Sequence, residues 1–203
     1  MTVTDQSPRR WEEASPGNVT GEARALTAIG PLRQRSWRYW KLLAGFLLRR
    51  YFWLFRNAKT RPLKQLGFIH FARWVLIHEL PDGDERVPLK PVYMLFESNF
   101  NGGFDEYIDA FSYVIPEAME DIFGSAYNFP GPIPATPFKD FIRRHDYEAD
   151  HFFSAYPEAT AADVAAALEL SLAIDALHER DDGNPWTFAV LWRGFMTKAQ
   201  TWL

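Results

Sequence analysis

The hydrophobic pattern is strand-like in the middle of the chain and helix-like on both sides of it. Residues 67–78 are rich in β-branched and aromatic side chains that alternate with a period of two, which predicts a strand. A polar connection at 81–90 leads to a second run of this kind at 92–99, and the short separation favours an antiparallel pair. A third alternating run, at 147–156, predicts one more strand.

Helical periodicity dominates the C-terminal half of the chain. Residues 104–115 place apolar side chains at helical spacing, and Pro116 either kinks this helix or begins a second one. Thr160 is a good N-cap residue and predicts a helix at 161–178. Pro185 begins a last, tryptophan-rich helix. The pattern as a whole predicts an α+β domain with helices packed on one face of a small sheet.

The segment 31–64 differs from the rest of the chain in patterning and in charge. Residues 32–64 contain ten basic residues and no acidic one, although the whole chain has 26 acidic residues and a net charge of −4. On a helical wheel most basic side chains lie opposite a stripe of tryptophan, phenylalanine and leucine, which is typical of a helix at a membrane interface. The residues expected to contact a membrane or a protein partner are Trp37, Arg38, Trp40, Lys41, Phe46, Arg49, Arg50 and Trp53.

The basic face also has a second explanation. The apolar stripe can pack on the protein's own sheet while the basic side chains meet acidic residues of the same chain. Nucleic acid is not expected as a partner, because no reader motif accompanies the basic residues. The longest apolar run of the segment, at 42–48, is seven residues long and cannot span a bilayer.

Residues 1–30 are polar and do not resemble a secretory signal, so we expect a flexible N-terminal arm. Together with the basic segment, this favours a cytoplasmic protein on the inner face of the cell membrane. The expected organisation is therefore an arm at 1–30, a basic amphipathic helix at 31–64, an α+β domain at 65–178 and a C-terminal helix at 179–203.

Candidate catalytic residues are few. The chain has no cysteine, which excludes disulfides and thiolate chemistry, and it has no recognisable nucleophile elbow, zinc-protease or dinucleotide motif. Arg73 and Glu97 lie within apolar strands that we expect to be neighbours, which predicts a cross-strand ion pair or, alternatively, a substrate-anchoring pair. His151 lies among aromatic residues and is the best candidate for acid–base catalysis or haem ligation, with a structural histidine as the alternative.

Three strings in the chain carry a resemblance: FIHFARWVLI, YMLFESNFNGGFDEYIDAF and HFFSAYP. They are similar to segments of a group of bacterial ferredoxin-like α+β modules and, more distantly, of dimeric α/β barrel domains, which include haem-dependent dye-decolourising peroxidases. The resemblance covers about residues 66–178. It implies a four-stranded ferredoxin-like sheet, of which three strands are predicted here, and it makes a homodimer and a haem cofactor reasonable expectations.

The leading hypothesis is a non-catalytic, membrane-peripheral accessory or binding protein that needs no cofactor or metal. The alternative is a haem-dependent peroxidase or oxygenase of the dimeric α/β barrel type, with a small apolar substrate in a pocket lined by Trp74, His151 and Phe153. A third hypothesis makes the chain a subunit of a larger assembly, with the amphipathic helix and the tryptophan-rich C-terminus as contact surfaces.

Overall fold

The computed structural model describes residues 16–41, 43–44 and 66–200, and it divides the chain into two compact units, Met1–Pro157 and Glu158–Leu203. The first unit is an α+β domain, so the predicted fold class is confirmed at that level. The second unit consists of two helices. The helix at Ala161–Arg180 runs through the predicted boundary between 178 and 179 and contacts the C-terminal helix.

The described part of the first unit contains one four-stranded antiparallel sheet. Its strands are β1 (Val19–Thr20), β2 (Ala23–Pro31), β3 (Ile69–Asp82) and β4 (Glu85–Asn101), in the order β1-β2-β4-β3. The predicted antiparallel pair is thus β3 and β4. Both strands continue through the polar residues expected to form the connection, and they leave a tight turn at Gly83, whose φ is +59°.

The predicted arm at residues 1–30 is wrong for its described part. A 3₁₀ turn at Pro16–Asn18 is followed by β1 and β2, and β2 pairs with β4 from Ala23 to Pro31. Leu26 and Ala28 of β2 are buried in the core. The residues of β2 are small and only moderately apolar, so pairing with the long β4 determines their conformation more than their own propensity does.

The predicted strand at 147–156 is also wrong. An isolated bridge joins Asp146 to Ala28, and the residues that follow belong to no strand. The segment is instead held at single points: the Tyr147 N–H donates to the Thr27 carbonyl at 2.8 Å, and the Glu22 N–H donates to the Pro157 carbonyl at 2.8 Å.

Helices cover one face of the sheet. They are α1 (Phe104–Val114), α2 (Pro116–Phe123) and α3 (Ala135–His145), and α2 begins at the proline that marked a kink or a new helix. A single hydrophobic core lies between these helices and the sheet. Its largest members include Met94, Phe96 and Phe100 from β4, and Tyr107, Phe111, Phe123, Phe138 and Phe141 from the helices.

The second unit contains α4 (Ala161–Arg180) and α5 (Pro185–Ala199). The start of α4 is as predicted: Thr160 accepts a hydrogen bond from the Asp163 N–H at 3.1 Å, and Asp163 accepts one from the Thr160 N–H at 2.8 Å. Among the described residues of this unit, Leu177 and Ala199 are the ones that are buried. The unit therefore has little core of its own.

Candidate interaction surface

The described part of the basic segment begins a helix directly after β2. Residues 37–41 and 43–44 are helical, and the Arg38 N–H donates to the Ser36 hydroxyl at 3.2 Å. Tyr39 is buried and Leu43 packs against the core, so this edge of the helix faces the protein. Trp37 and Trp40 point the other way and are 67% and 61% exposed.

The basic side chains of this helix meet acidic residues of α2. Arg38 forms an ion pair with Glu120, and Lys41 forms one with Asp121. Each of the four side chains is at least one-third exposed, so each pair contributes at most about 1 kcal/mol. Over the described residues, the charges therefore follow the second explanation, in which basic residues meet acidic residues of the same chain.

The outward side of this helix forms what we call the tryptophan surface, made of Trp37 and Trp40 with Arg38 and Lys41 at its edge. The Arg38 guanidinium carbon and the Lys41 ammonium nitrogen each lie 5.9 Å from the centroid of the Trp37 ring. The two cations flank the Trp37 ring, and most of the side chain remains exposed. The remaining predicted contact residues, Phe46, Arg49, Arg50 and Trp53, lie outside the described residues.

Arg73 and Glu97 face each other on β3 and β4 and form the predicted cross-strand ion pair. The side chain of Arg73 is 62% exposed and that of Glu97 is 26% exposed. Solvent screens a pair with this exposure, and the two side chains already satisfy each other. The ion pair is confirmed and has the character of a surface contact.

The pocket predicted from Trp74, His151 and Phe153 does not form. Trp74 packs against the core on the strand at one edge of the sheet, whereas His151 is exposed in the segment that runs past the other edge. With strands about 4.8 Å apart, the width of the sheet separates them. Phe153 is 76% exposed. The described residues around His151 do not fit a haem, because His151 and Phe153 are both exposed and offer the macrocycle no buried apolar surface.

The two histidines of β3 do not form a metal-binding or catalytic site with other described residues either. The pairing of β3 with β4 shifts register between Ile69 and Phe71 and between Ile77 and Glu79, and the histidines at these two irregularities, His70 and His78, are exposed. His70 therefore does not pack against the core as Trp74 does. The described residues contain no group of three or more His, Asp or Glu side chains able to hold a metal ion.

One small cavity lies beneath the sheet, at the end of α3. Its lining is apolar apart from one histidine and consists of Ala28, Gly30, Met94, Phe123, Phe141 and His145. It has room for no more than about one water molecule, so it cannot accept an organic substrate. The His145 ring is held by the Phe141 carbonyl, 2.8 Å from Nδ1.

Asp146 is a titratable residue that the sequence pattern did not single out. It follows the last residue of α3, and its Oδ1 accepts a hydrogen bond from the Thr27 N–H at 3.1 Å. Burial raises the pKa of this carboxyl to about 6, and the nearby Glu148 carboxylate acts in the same direction, against hydrogen bonds from Thr27 and Tyr147. The sequence offered no signal, because the partner strand of Asp146 was not predicted.

The raised pKa of Asp146 predicts a pH-dependent stability. The protonated form fits the folded state better, so this stabilisation is complete below the usual pKa of 3.8 and is lost as the pH rises through about 6. Asp146→Asn keeps the acceptor for Thr27 and removes the cost of ionisation. After allowance for solvent screening, we expect the variant to gain about 1–2 kcal/mol over the wild type at pH 7.5 and little at pH 4.

Urea unfolding at several pH values measures this difference. Asp150→Asn changes the same charge at an exposed position of the same segment and serves as the control. A stability difference between Asp146→Asn and the wild type that does not change with pH would contradict the assignment.

None of the helices in the part of the chain that the structure describes is long and apolar enough to cross a membrane. No family model matches the chain, and neither the curated proteins nor the solved structures contain a match to it.

Proposed function

We propose that this protein is a non-catalytic accessory or binding protein that works at the inner face of the cell membrane, with the tryptophan surface as its contact site. The observation that carries the proposal is the exposure of Trp37 and Trp40, 67% and 61%, on a helix whose opposite edge is fixed in the core. Tryptophan is the side chain that membrane interfaces favour most, since its ring is apolar and its N–H remains hydrated.

The charges near the tryptophan surface suit an anionic membrane. Arg33 and Arg35 lie in the turn before the helix and are exposed. The Arg33 guanidinium carbon stands 5.3 Å from the Tyr127 ring centroid, and this contact leaves its charge in place. Arg38 and Lys41 are partly neutralised by Glu120 and Asp121, so the tryptophans, more than the charges, are expected to supply the affinity.

The fold is proposed to be ferredoxin-like. In that arrangement a fourth strand lies beside the first, and each half of the domain has a helix between its strands. The bridge between Asp146 and Ala28 supports the proposal, since it pairs the start of the segment 146–157 with β2, on the side of β2 where β1 pairs at Ala23 and Arg24. The helix that starts at Trp37 and the helices after β4 occupy the two helical positions.

Vesicle flotation tests the membrane proposal. We expect the wild type to float with vesicles that contain phosphatidylglycerol, and the double variant Trp37→Ser, Trp40→Ser to bind at least about tenfold more weakly, because two interfacial rings are lost. The fold should tolerate both changes, since both side chains are mostly exposed.

Trp186→Ser is the matched control for this experiment. Trp186 is 84% exposed and lies in the second unit. Its substitution therefore removes an exposed tryptophan that is not part of the tryptophan surface. A double variant that floats as well as the wild type would refute the proposed contact site. A wild type that binds no vesicle would refute the membrane as its partner.

A further inference from the structure

Helix α4 has two apolar faces on opposite sides. The first consists of its least exposed positions, at 166, 170, 173 and 177, and ends at the buried Leu177. The second consists of Val164, Leu168 and Leu172, which are 42%, 63% and 64% exposed. We call these three residues the outer stripe. They follow a spacing of four residues and so lie on one side of the helix.

A helix that is apolar on opposite sides is normally covered on both. The second unit spans Glu158–Leu203, and the chain has no cysteine that could staple it. Units shorter than about 70–80 residues commonly obtain the missing burial from a disulfide, a metal or a second subunit. The absence of cysteine excludes a disulfide, and the described residues contain no cluster of side chains that could hold a metal ion.

We propose that the outer stripe of α4 packs antiparallel against the same stripe of a second copy of this chain. A two-fold axis at Leu168 makes the contact self-complementary: Leu168 meets Leu168 of the second copy, and Val164 meets its Leu172. Ala165 and Ser171 then lie opposite one another beside the leucines, and their small side chains let the two helices approach closely.

The charges of α4 suit this antiparallel arrangement. In it, Asp175 of one copy lies opposite Ala161 of the other, near the positive N-terminal end of the helix. Asp163, the acidic residue of that first turn, is held by Thr160 and lies about 140° around the helix from Leu168, at about 100° per residue. It therefore points away from the contact. A parallel arrangement would bring the two Asp175 carboxylates together instead.

The same charges argue against an anionic membrane as the occupant of the outer stripe. α4 carries Asp163, Glu169, Asp175 and Glu179 against a single Arg180, and two more aspartates follow at 181 and 182. An anionic surface would repel this helix.

The contact is small. A helix the length of α4 extends about 30 Å, and two such helices joined along one stripe are expected to bury less than about 1,200 Å², the lower limit for a standard interface. We therefore expect a weak, concentration-dependent dimer with a dissociation constant in the micromolar range.

Sedimentation equilibrium of the full chain tests the dimer. Between about 1 and 200 μM we expect the wild type to pass from monomer to dimer, and Leu168→Glu to weaken the dimer at least tenfold by placing two carboxylates on the axis. Val190→Glu is the control, since Val190 is 69% exposed on α5 and lies outside the outer stripe.

Cysteine cross-linking tests the geometry without adding a charge. Because the chain has no cysteine, Leu168→Cys introduces a single thiol on the proposed axis, and mild oxidation should give a disulfide-linked dimer. Ala167→Cys, one residue away and exposed, should remain monomeric. A mixture of Val164→Cys and Leu172→Cys chains should form mainly the mixed disulfide, because the antiparallel contact pairs these two positions.

Several results would overturn the proposal. A wild type that stays monomeric across the concentration range excludes a second copy, and a dimer that Leu168→Glu does not weaken places the contact elsewhere. If Leu168→Glu instead abolishes vesicle binding by a monomeric wild type, a membrane occupies the outer stripe. If it lowers the thermal stability of a monomeric wild type, the stripe is covered within the chain. The sedimentation and cross-linking measurements do not depend on the tryptophan surface.

Discussion

Phe123→Ala is expected to lower the free energy of unfolding of the first unit by about 3–5 kcal/mol. Phe123 is 3% exposed at the end of α2 and stands at the centre of an aromatic cluster. Its ring centroid lies 5.4 Å from that of Phe96 and 5.8 Å from that of Phe138. Truncation leaves a cavity and removes several edge-to-face contacts at once. The loss of stability therefore exceeds the free energy of transferring the deleted apolar surface from the core to water.

Urea unfolding followed by near-ultraviolet circular dichroism measures this loss. Phe153→Ala is the control, because that phenylalanine is 76% exposed and its truncation should cost less than about 0.5 kcal/mol. If the two variants lost equal stability, Phe123 could not be the centre of the core.

The sequence predicted the elements whose own pattern is strong. β3 and β4 have long alternating runs, α2 begins at Pro116, and α4 begins directly after its N-cap Thr160, which forms a capping box. Even the ion pair between Arg73 and Glu97 could be foreseen, because both charges interrupt apolar strands and an unpaired charge there would be costly. In each case the local signal and the tertiary structure agree.

The elements that the sequence pattern did not predict correctly, β2 and the segment 147–156, depend on partners distant in the sequence. β2 is composed of small side chains, and nothing in its own pattern shows that β4 would pair with all of it. The segment 147–156 has the alternation of a strand, yet it is held by side chains as much as by backbone: Thr20 donates to the Phe152 carbonyl at 2.6 Å, and the Ala149 N–H donates to Asn18 at 2.7 Å. Local patterns do not encode such contacts.

The same limit applies to the interaction surface. The helical wheel placed Arg38 and Lys41 on an outward basic face, but the wheel could not show that α2 would present Glu120 and Asp121 beside them. It also assigned Trp40 to the apolar stripe, yet Trp40 is 61% exposed and its neighbour Tyr39 is buried. The orientation of an amphipathic helix is set by what it packs on, which one sequence does not reveal.

The turn between β1 and β2 lies against Pro157, at the end of the segment that would be the fourth strand of the proposed ferredoxin-like sheet. Gly21 sits in the turn between β1 and β2 with φ at +58°, and a methyl group there would lie 2.0 Å from the Pro157 carbonyl oxygen. That oxygen accepts the hydrogen bond from the Glu22 N–H at 2.8 Å. The turn and the segment 146–157 therefore fit together only if residue 21 has no side chain.

Gly21→Ala is expected to destabilise the first unit by about 2–4 kcal/mol, since it adds left-handed backbone strain to a collision with backbone atoms that cannot rotate away. Gly83→Ala is the matched control: its φ is +59°, and a methyl group there meets no described atom within 4 Å, so strain of about 1 kcal/mol is the whole expected cost. Hydrogen exchange gives a local readout, because the Glu22 amide should lose protection in Gly21→Ala and keep it in Gly83→Ala. Equal losses of stability in the two variants would mean that the segment 146–157 does not lie against this turn, and the fourth strand position of a ferredoxin-like sheet would then be empty.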